Sequence, residues 1–281
     1  MHSHLRRKST TVLAFALLAS VVTGLPSAAQ AQEVALTTVQ QPNADRRRLS
    51  PDQVREVAPA LEQYTQQHLY GEVWKRPGLS PRDRSMVVVA AMIARGEAPA
   101  LTYYANQAIE NGVKPAEISE TITHLAFYTG WGRAMAAVGP VRDVFAARGV
   151  RAQDLPPAFG ALQPLDLAND TARATGSNQF ATVSPGTVAY TNGLLFKELW
   201  QRPYLSQRDR SLVTVSALVA GGQAEQLTYH LNRGMDQGLT QAQVGEMLTQ
   251  LAFYAGWPSV FSAMPVAKKV FEQRAGKGAG K

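Results

Sequence analysis

One histidine and a set of arginines carry most of the chemistry this sequence can offer. His230 falls three residues after Leu227 and one before Leu231, a spacing that turns its imidazole toward the apolar face of a helix. An inward imidazole can move a proton near neutral pH, or it can be a core histidine satisfied by one hydrogen bond. Arg76, Arg84, Arg202, Arg208 and Arg210 could dock carboxylates through paired N–H donors. Because Arg82 and Arg84 bracket Asp83, and Arg208 and Arg210 bracket Asp209, ion pairs and helix-start capping account for these residues equally well. Glu198, matched by Glu72, is a candidate base or orienter of the histidine, or a surface residue. Tyr254 and Trp257, like Tyr128 and Trp131, stand where one helix ends and the next begins, a position that suits packing as well as substrate contact. His124 has no second ligand at metal spacing, so no metal or other cofactor is expected. With zero cysteines, no thiol can serve as nucleophile, redox centre or ligand, and no disulfide framework exists.

Most of these residues occur twice. Shifting the chain by 126 positions superimposes Trp74 on Trp200, Arg76 on Arg202, Asp83 on Asp209, Arg84 on Arg210, Tyr103 on Tyr229 and Tyr128 on Tyr254 without a gap. About 36 of roughly 82 aligned positions from Tyr64 and Tyr190 onward are identical, which marks a tandem duplication. Tyr104 stands where His230 does, so the two sites are unequal and the first is expected to be degenerate.

The elements that must position these residues read as helices. Ser50-Pro51-Asp52 opens a helix through about Tyr70, and Ser80 with Asp83 caps a second whose interior, Met86 to Ile93, is nearly all apolar. A third is expected over about 99–111, a fourth over 115–128, and a last from Trp131 to about Arg148, with glycines at the breaks. The second copy repeats this programme, and no alternating pattern is long enough for a sheet. The chain is therefore expected to be all-α, with two tandem repeats over 50–148 and 186–274, an aperiodic linker over 149–185 and a flexible tail over 275–281.

Residues 1–31 read as a signal peptide, with Arg6, Arg7 and Lys8, an apolar run over 11–25 and small residues ending at Ala31. That run is too short to span a membrane. Residues 32–49 read as a disordered lead-in, so the mature protein is expected to be exported, periplasmic or secreted, without a membrane anchor. The formal charge of +7 includes three cations in the leader. The remainder is too mildly basic, and its basic residues too little clustered with aromatics, for nucleic-acid binding.

Arg208-Asp209-Arg210-Ser211-Leu212, then Leu227 and His230 before Gly238, then Leu251 to Pro258 reading LAFYAGWP, together resemble the carboxymuconolactone decarboxylase family, over nearly all of both repeats. The resemblance implies an all-helical, AhpD-like fold, a cofactor-free lyase acting on a small carboxylate or lactone, and homo-oligomers, here a trimer of two-repeat chains. It implies a catalytic group of His230, Arg210 and Glu198, substrate contacts from Arg202, Arg208, Tyr254 and Trp257, and a degenerate first-repeat site at Tyr104, Arg84 and Glu72. The family's peroxidase branch uses a Cys-x-x-Cys motif whose places are Gln223 and Gln226 here, which disfavours that activity. A non-catalytic ligand-binding or scaffold protein is the rival reading.

Overall fold

The computed structural model describes residues 49–278. The expected signal peptide and almost all of the expected lead-in lie outside the described residues. Within them the secondary structure is helical, with no strand. The first copy contains α1 (Pro51–Val57), α2 (Pro59–Tyr64), α3 (Pro81–Arg95), α4 (Ala98–Glu110), α5 (Pro115–Thr129) and α6 (Trp131–Ala147). α7 (Leu167–Asn178) follows, and the second copy supplies α8 (Pro185–Tyr190), α9 (Gln207–Ala220), α10 (Leu227–Asp236), α11 (Gln241–Ala255) and α12 (Trp257–Gly278).

Local chemistry sets most of these boundaries. Ser80 and Ser206 accept hydrogen bonds from the backbone N–H of Asp83 and Asp209, capping α3 and α9. Gly130 and Gly256 end α5 and α11 at φ of 90° and 89°, a backbone region that side chains with a Cβ rarely enter. Three expectations are corrected. The opening helix is broken at Ala58, at φ −142° and ψ 71°, because the ring of Pro59 disfavours helical geometry in the residue before it. The linker is not aperiodic throughout, since α7 forms within it behind an Asp166 side chain that accepts from Asn169 N–H. The last helix continues through Gly278, past the expected start of the tail at 275; Arg274 fastens it to Asp236 at 2.8 Å.

α3 and α9 form the centre. Every residue from Asp83 to Ala94 and from Asp209 to Ala220 is buried, and the two helices pack on each other across the copy boundary. Each burying aliphatic side chain contributes about 1.5–3 kcal/mol, so this contact is the main apolar bond between the copies. At its polar end Arg82 reaches Asp209 at 2.9 Å and Arg208 reaches Asp83 at 2.6 Å, a reciprocal pairing that fixes the register of the two helices. α5 packs more extensively on α9 than on its own α3, and α11 more extensively on α3 than on α9. The copies are thus interlocked, and each site draws residues from both.

Candidate functional site

Glu120, His124 and Tyr128 follow one another at four-residue intervals, so they share one face of α5. That face lies against the second copy. Glu120, fully buried, accepts from Arg210 Nη2 and Arg202 Nε, each at 2.8 Å. His124 Nδ1 lies 3.1 Å from Arg210 Nη1 and must accept from it, which leaves the proton on Nε2 to be donated to Thr214 Oγ1 at 2.8 Å. Thr214 donates in turn to the Arg210 carbonyl at 2.7 Å. Burial, reinforced by the Arg210 charge, holds the His124 pKa well below its ordinary value. Tyr128 accepts from Trp200 Nε1 at 2.8 Å.

His230 rests on this platform from α10. Its ring stands edge-on to Tyr128 and Tyr229, with centroids 5.2 and 5.0 Å away, and lies parallel to Trp200 at 5.9 Å. Gly234, one turn on, permits the approach: a Cβ there would meet Ser211 Cβ at 3.0 Å and Leu239 Cδ1 at 2.8 Å. The imidazole is 7% exposed, and its Nδ1 is buried with no hydrogen-bond partner among the described residues. Burial, and then the charge of Arg233, lowers its pKa to about 3, so the free protein carries a neutral imidazole at neutral pH.

Arg233 completes the group. Its guanidinium lies 4.3 Å from the centre of the Trp200 ring and donates to Gln207 Oε1 at 2.8 Å, while its Nε is buried without a partner among the described residues. Arg233, Phe196 and Gln207 form one wall of a cleft of about 100 Å³, which the linker closes with Gln163, Asp166, Asp170 and Arg173. Arg173 sits 4.0 Å over the Phe196 ring. His230 is not part of that wall. Phe196 meets both Trp200 and Tyr229, which flank the imidazole, so the ring lies one layer behind the cleft.

The same arrangement recurs around α3 with altered chemistry. Arg84 donates to Gln250 Oε1 at 3.1 Å and to Glu246 Oε2 at 2.9 Å, and Trp74 donates to Tyr254 at 2.9 Å. Hydrogen bonding from Arg76 is the main reason the Glu246 pKa falls to about 2. Tyr104 stands edge-on to Tyr254 with centroids 5.4 Å apart. Gln250 Nε2 has no partner among the described residues, because Val88 occupies the place of Thr214.

Several residues expected around His230 serve elsewhere. Arg210 is fully buried and committed to Glu120, His124 and the Arg202 carbonyl, which corrects its assignment to catalysis. Arg202 is held by Glu120 and by the carbonyls of Pro157 and Ala158, and Arg208 by Asp83 and Asp209. Neither is free to dock a substrate. Glu198 is exposed and lines an apolar groove with Trp131 and Met135, away from the imidazole. Trp257 is 52% exposed and packs on Phe253. Tyr254 belongs in space with Tyr104, and Tyr128 takes the place beside His230 that was expected for it. In the first repeat, Arg84 is likewise an internal ion-pair residue, and Glu72 is exposed beside His68. Glu120, His124 and Arg233 went unassigned. Retention of Glu120 as Glu246 beside the duplicated arginines was the available signal for the first, and joint loss of His230 and Arg233, as Tyr104 and Gln107, for the last.

The carboxymuconolactone decarboxylase family model matches the chain twice, over residues 59–143 and 185–269. The chain belongs to this family. The chain is similar to a 4-carboxymuconolactone decarboxylase of Acinetobacter baylyi, 37% identical over 75 residues that make up 27% of this chain and 56% of the relative. A nitrosuccinic acid decarboxylase of Metarhizium robertsii is 31% identical over 80 residues, 28% of this chain and 56% of the relative. The chain thus spans about half the length of these curated relatives. A crystal structure of a candidate gamma-carboxymuconolactone decarboxylase subunit from Burkholderia xenovorans superposes with a TM-score of 0.48 at 16% identity, covering 86% of this chain and all of that one.

Proposed function

We propose that the second-copy site is the reaction centre of a cofactor-free decarboxylase-like lyase for a small carboxylated or lactone-type compound, with His230 as the proton-transfer residue and Arg233 as the anion-docking residue. One observation carries this reading. His230 Nδ1 and Arg233 Nε are buried polar atoms one helical turn apart, both without partners among the described residues. Leaving such groups unpaired costs about 1–3 kcal/mol each, and a bound carboxylate or lactone could satisfy them. The first copy, which lacks both residues, has lost the pair.

In the reaction, the bond from carbon to the departing carboxylate breaks and carbon dioxide leaves. The electron pair passes through the adjoining unsaturation onto a carbonyl oxygen, and one proton is then added to carbon. Arg233 meets the substrate carboxylate, while Arg173 across the cleft is already paired with Asp170. Docked anionic charge offsets the Arg233 field, the lesser cause of the depressed His230 pKa after burial, so binding shifts the imidazole toward the protonated form. Phe196 and Arg233 must shift for a substrate to reach the ring.

The relatives named as decarboxylases support the reaction class. The assembly and location are proposed with it: an exported homo-oligomer, a trimer of two-repeat chains. Trp131, Met135 and Val138 form an exposed apolar stripe at i, i+4 and i+7, and Trp257, Phe261 and Met264 repeat it, which supports burial against further copies of the chain. A second reading, non-catalytic binding of a small anion, is favoured by the layer of rings between cleft and imidazole. Carbon dioxide release from a panel of carboxylated lactones and small dicarboxylates separates the two. Turnover whose KM rises about tenfold or more in Arg233→Gln is expected, whereas binding without turnover across the panel would establish the second reading.

A further inference from the structure

The residues that distinguish the copies also change the chemistry around Tyr104. Beside Tyr104 lies a cavity of about 270 Å³, walled by Tyr70, Tyr103, Tyr104 and Glu62, with Val54 of α1 at its side; of these walls only Tyr70 matches a residue of the second-copy cleft, Phe196. The offset of 126 relates these tyrosines to Phe196, Tyr229 and His230. Three changes accompany them. Glu62 stands where the second copy has Val188, and Gln107 where it has Arg233. The preceding helix α1 lines its cavity with apolar Val54, while α7 lines the other with Asp170 and Arg173. The described lining of the first cavity therefore contains a carboxylate and no lysine or arginine, whereas that of the second balances two arginines with Asp166 and Asp170.

Geometry adds to charge. The Tyr103 and Tyr104 rings meet at 78° with centroids 5.0 Å apart, making a corner of two aromatic walls. The Tyr104 hydroxyl is hydrogen-bonded to Tyr254, which fixes one of those walls. Glu62 is only 8% exposed, yet its ion pair with Arg55 is long at 3.4 Å, and Arg55 is held more closely by Asp52 at 2.7 Å. Gln107, on the next turn after Tyr103, keeps a buried carbonyl oxygen without a donor among the described residues. Aromatic faces with a carboxylate attract organic cations, and the volume suits a ligand smaller than the ~300–1,000 Å³ of drug-sized sites.

We propose that the first-copy cavity is a binding site for a small organic cation, an ammonium group on a compact apolar body, held by the tyrosine walls and the Glu62 carboxylate. This site is separate from the second-copy chemistry and does not depend on it. Isothermal titration of the full chain with choline, its neutral isostere 3,3-dimethylbutan-1-ol and the anion 3,3-dimethylbutanoate tests it without any substitution. Saturable 1:1 binding of choline is expected, with the alcohol at least about tenfold weaker. Glu62→Gln is expected to weaken choline by about tenfold, and Arg233→Gln to leave it unchanged. Equal affinity for choline and the alcohol, no binding of choline, or undiminished choline binding by a folded Glu62→Gln protein would overturn the proposal. Loss of choline binding in Arg233→Gln would overturn it too, by placing the cation in the other pocket.

Discussion

His230, from the second copy, stands edge-on against Tyr128, from the first, with ring centroids 5.2 Å apart and planes at 84°. The tyrosine nearest to it in repeat order, Tyr254, lies instead beside Tyr104. Each site is thus closed by the other copy's fifth-helix equivalent, and the duplication keeps within one chain what two separate copies would otherwise have to assemble. The tyrosines are chemically matched, each accepting from a tryptophan N–H. Removing either hydroxyl strands a buried donor, so Tyr128→Phe and Tyr254→Phe should each lose about 1–3 kcal/mol of stability in urea unfolding. Only Tyr128→Phe should also reduce turnover.

Glu120 and Glu246 occupy matched positions but differ in burial, with side chains 0% and 13% exposed. Glu120→Gln leaves Arg210 buried without its counter-charge. It should cost about 3–5 kcal/mol, the range for breaking a buried pair, and more than Glu246→Gln. Denaturant midpoints of the two variants, compared at unchanged m-value, provide the check.

Acid should unfold the protein through its buried histidines. His230 titrates near 3 in the fold against an ordinary value of 6.5, and His124 is depressed in the same direction. Between those values the unfolded chain binds protons that the folded one refuses. The stabilisation from His230 is therefore complete above about pH 6.5 and is lost as pH falls toward about 3, by on the order of a few kcal/mol, and that from His124 is lost in the same direction. Unfolding free energies measured from pH 7 to pH 4 should fall with pH, less steeply in His230→Gln. The same depression predicts no His230 ionisation in the kcat/KM profile between pH 5 and pH 8, which reports the free protein.

The unpaired amide of Gln250 offers a gain of stability. His124 has Thr214 as acceptor, whereas Gln250 faces the position of Val88. Val88→Thr supplies the missing oxygen in a nearly equal volume and should stabilise the chain by about 1 kcal/mol, read as a higher thermal midpoint. The same substitution combined with Gln250→Leu should lose that gain.

The helical class, the duplication and most helix ends were legible because they rest on local chemistry: serine caps, glycine breaks and a fixed offset. Ala58 was missed although Pro59 is in plain view, since the apolar pattern continues through it. The arginines were misassigned for a different reason. Spacing showed that Arg202 and Arg210 recur, but their partner Glu120 is more than eighty residues away on a helix of the other copy, a relationship no periodicity encodes. His230 was found from its helix face. Arg233 was passed over because a cation one turn later reads as surface until Trp200 is seen beneath it.

The most direct test compares His230→Ala with Tyr104→Ala in one assay of carbon dioxide release from a carboxylated lactone that the wild type turns over. If the second copy holds the reaction centre, His230→Ala should lose about 10²–10⁴-fold in kcat while Tyr104→Ala stays within about threefold of wild type. Wild-type kcat in a folded His230→Ala protein, or an equal loss in both variants, would contradict the account.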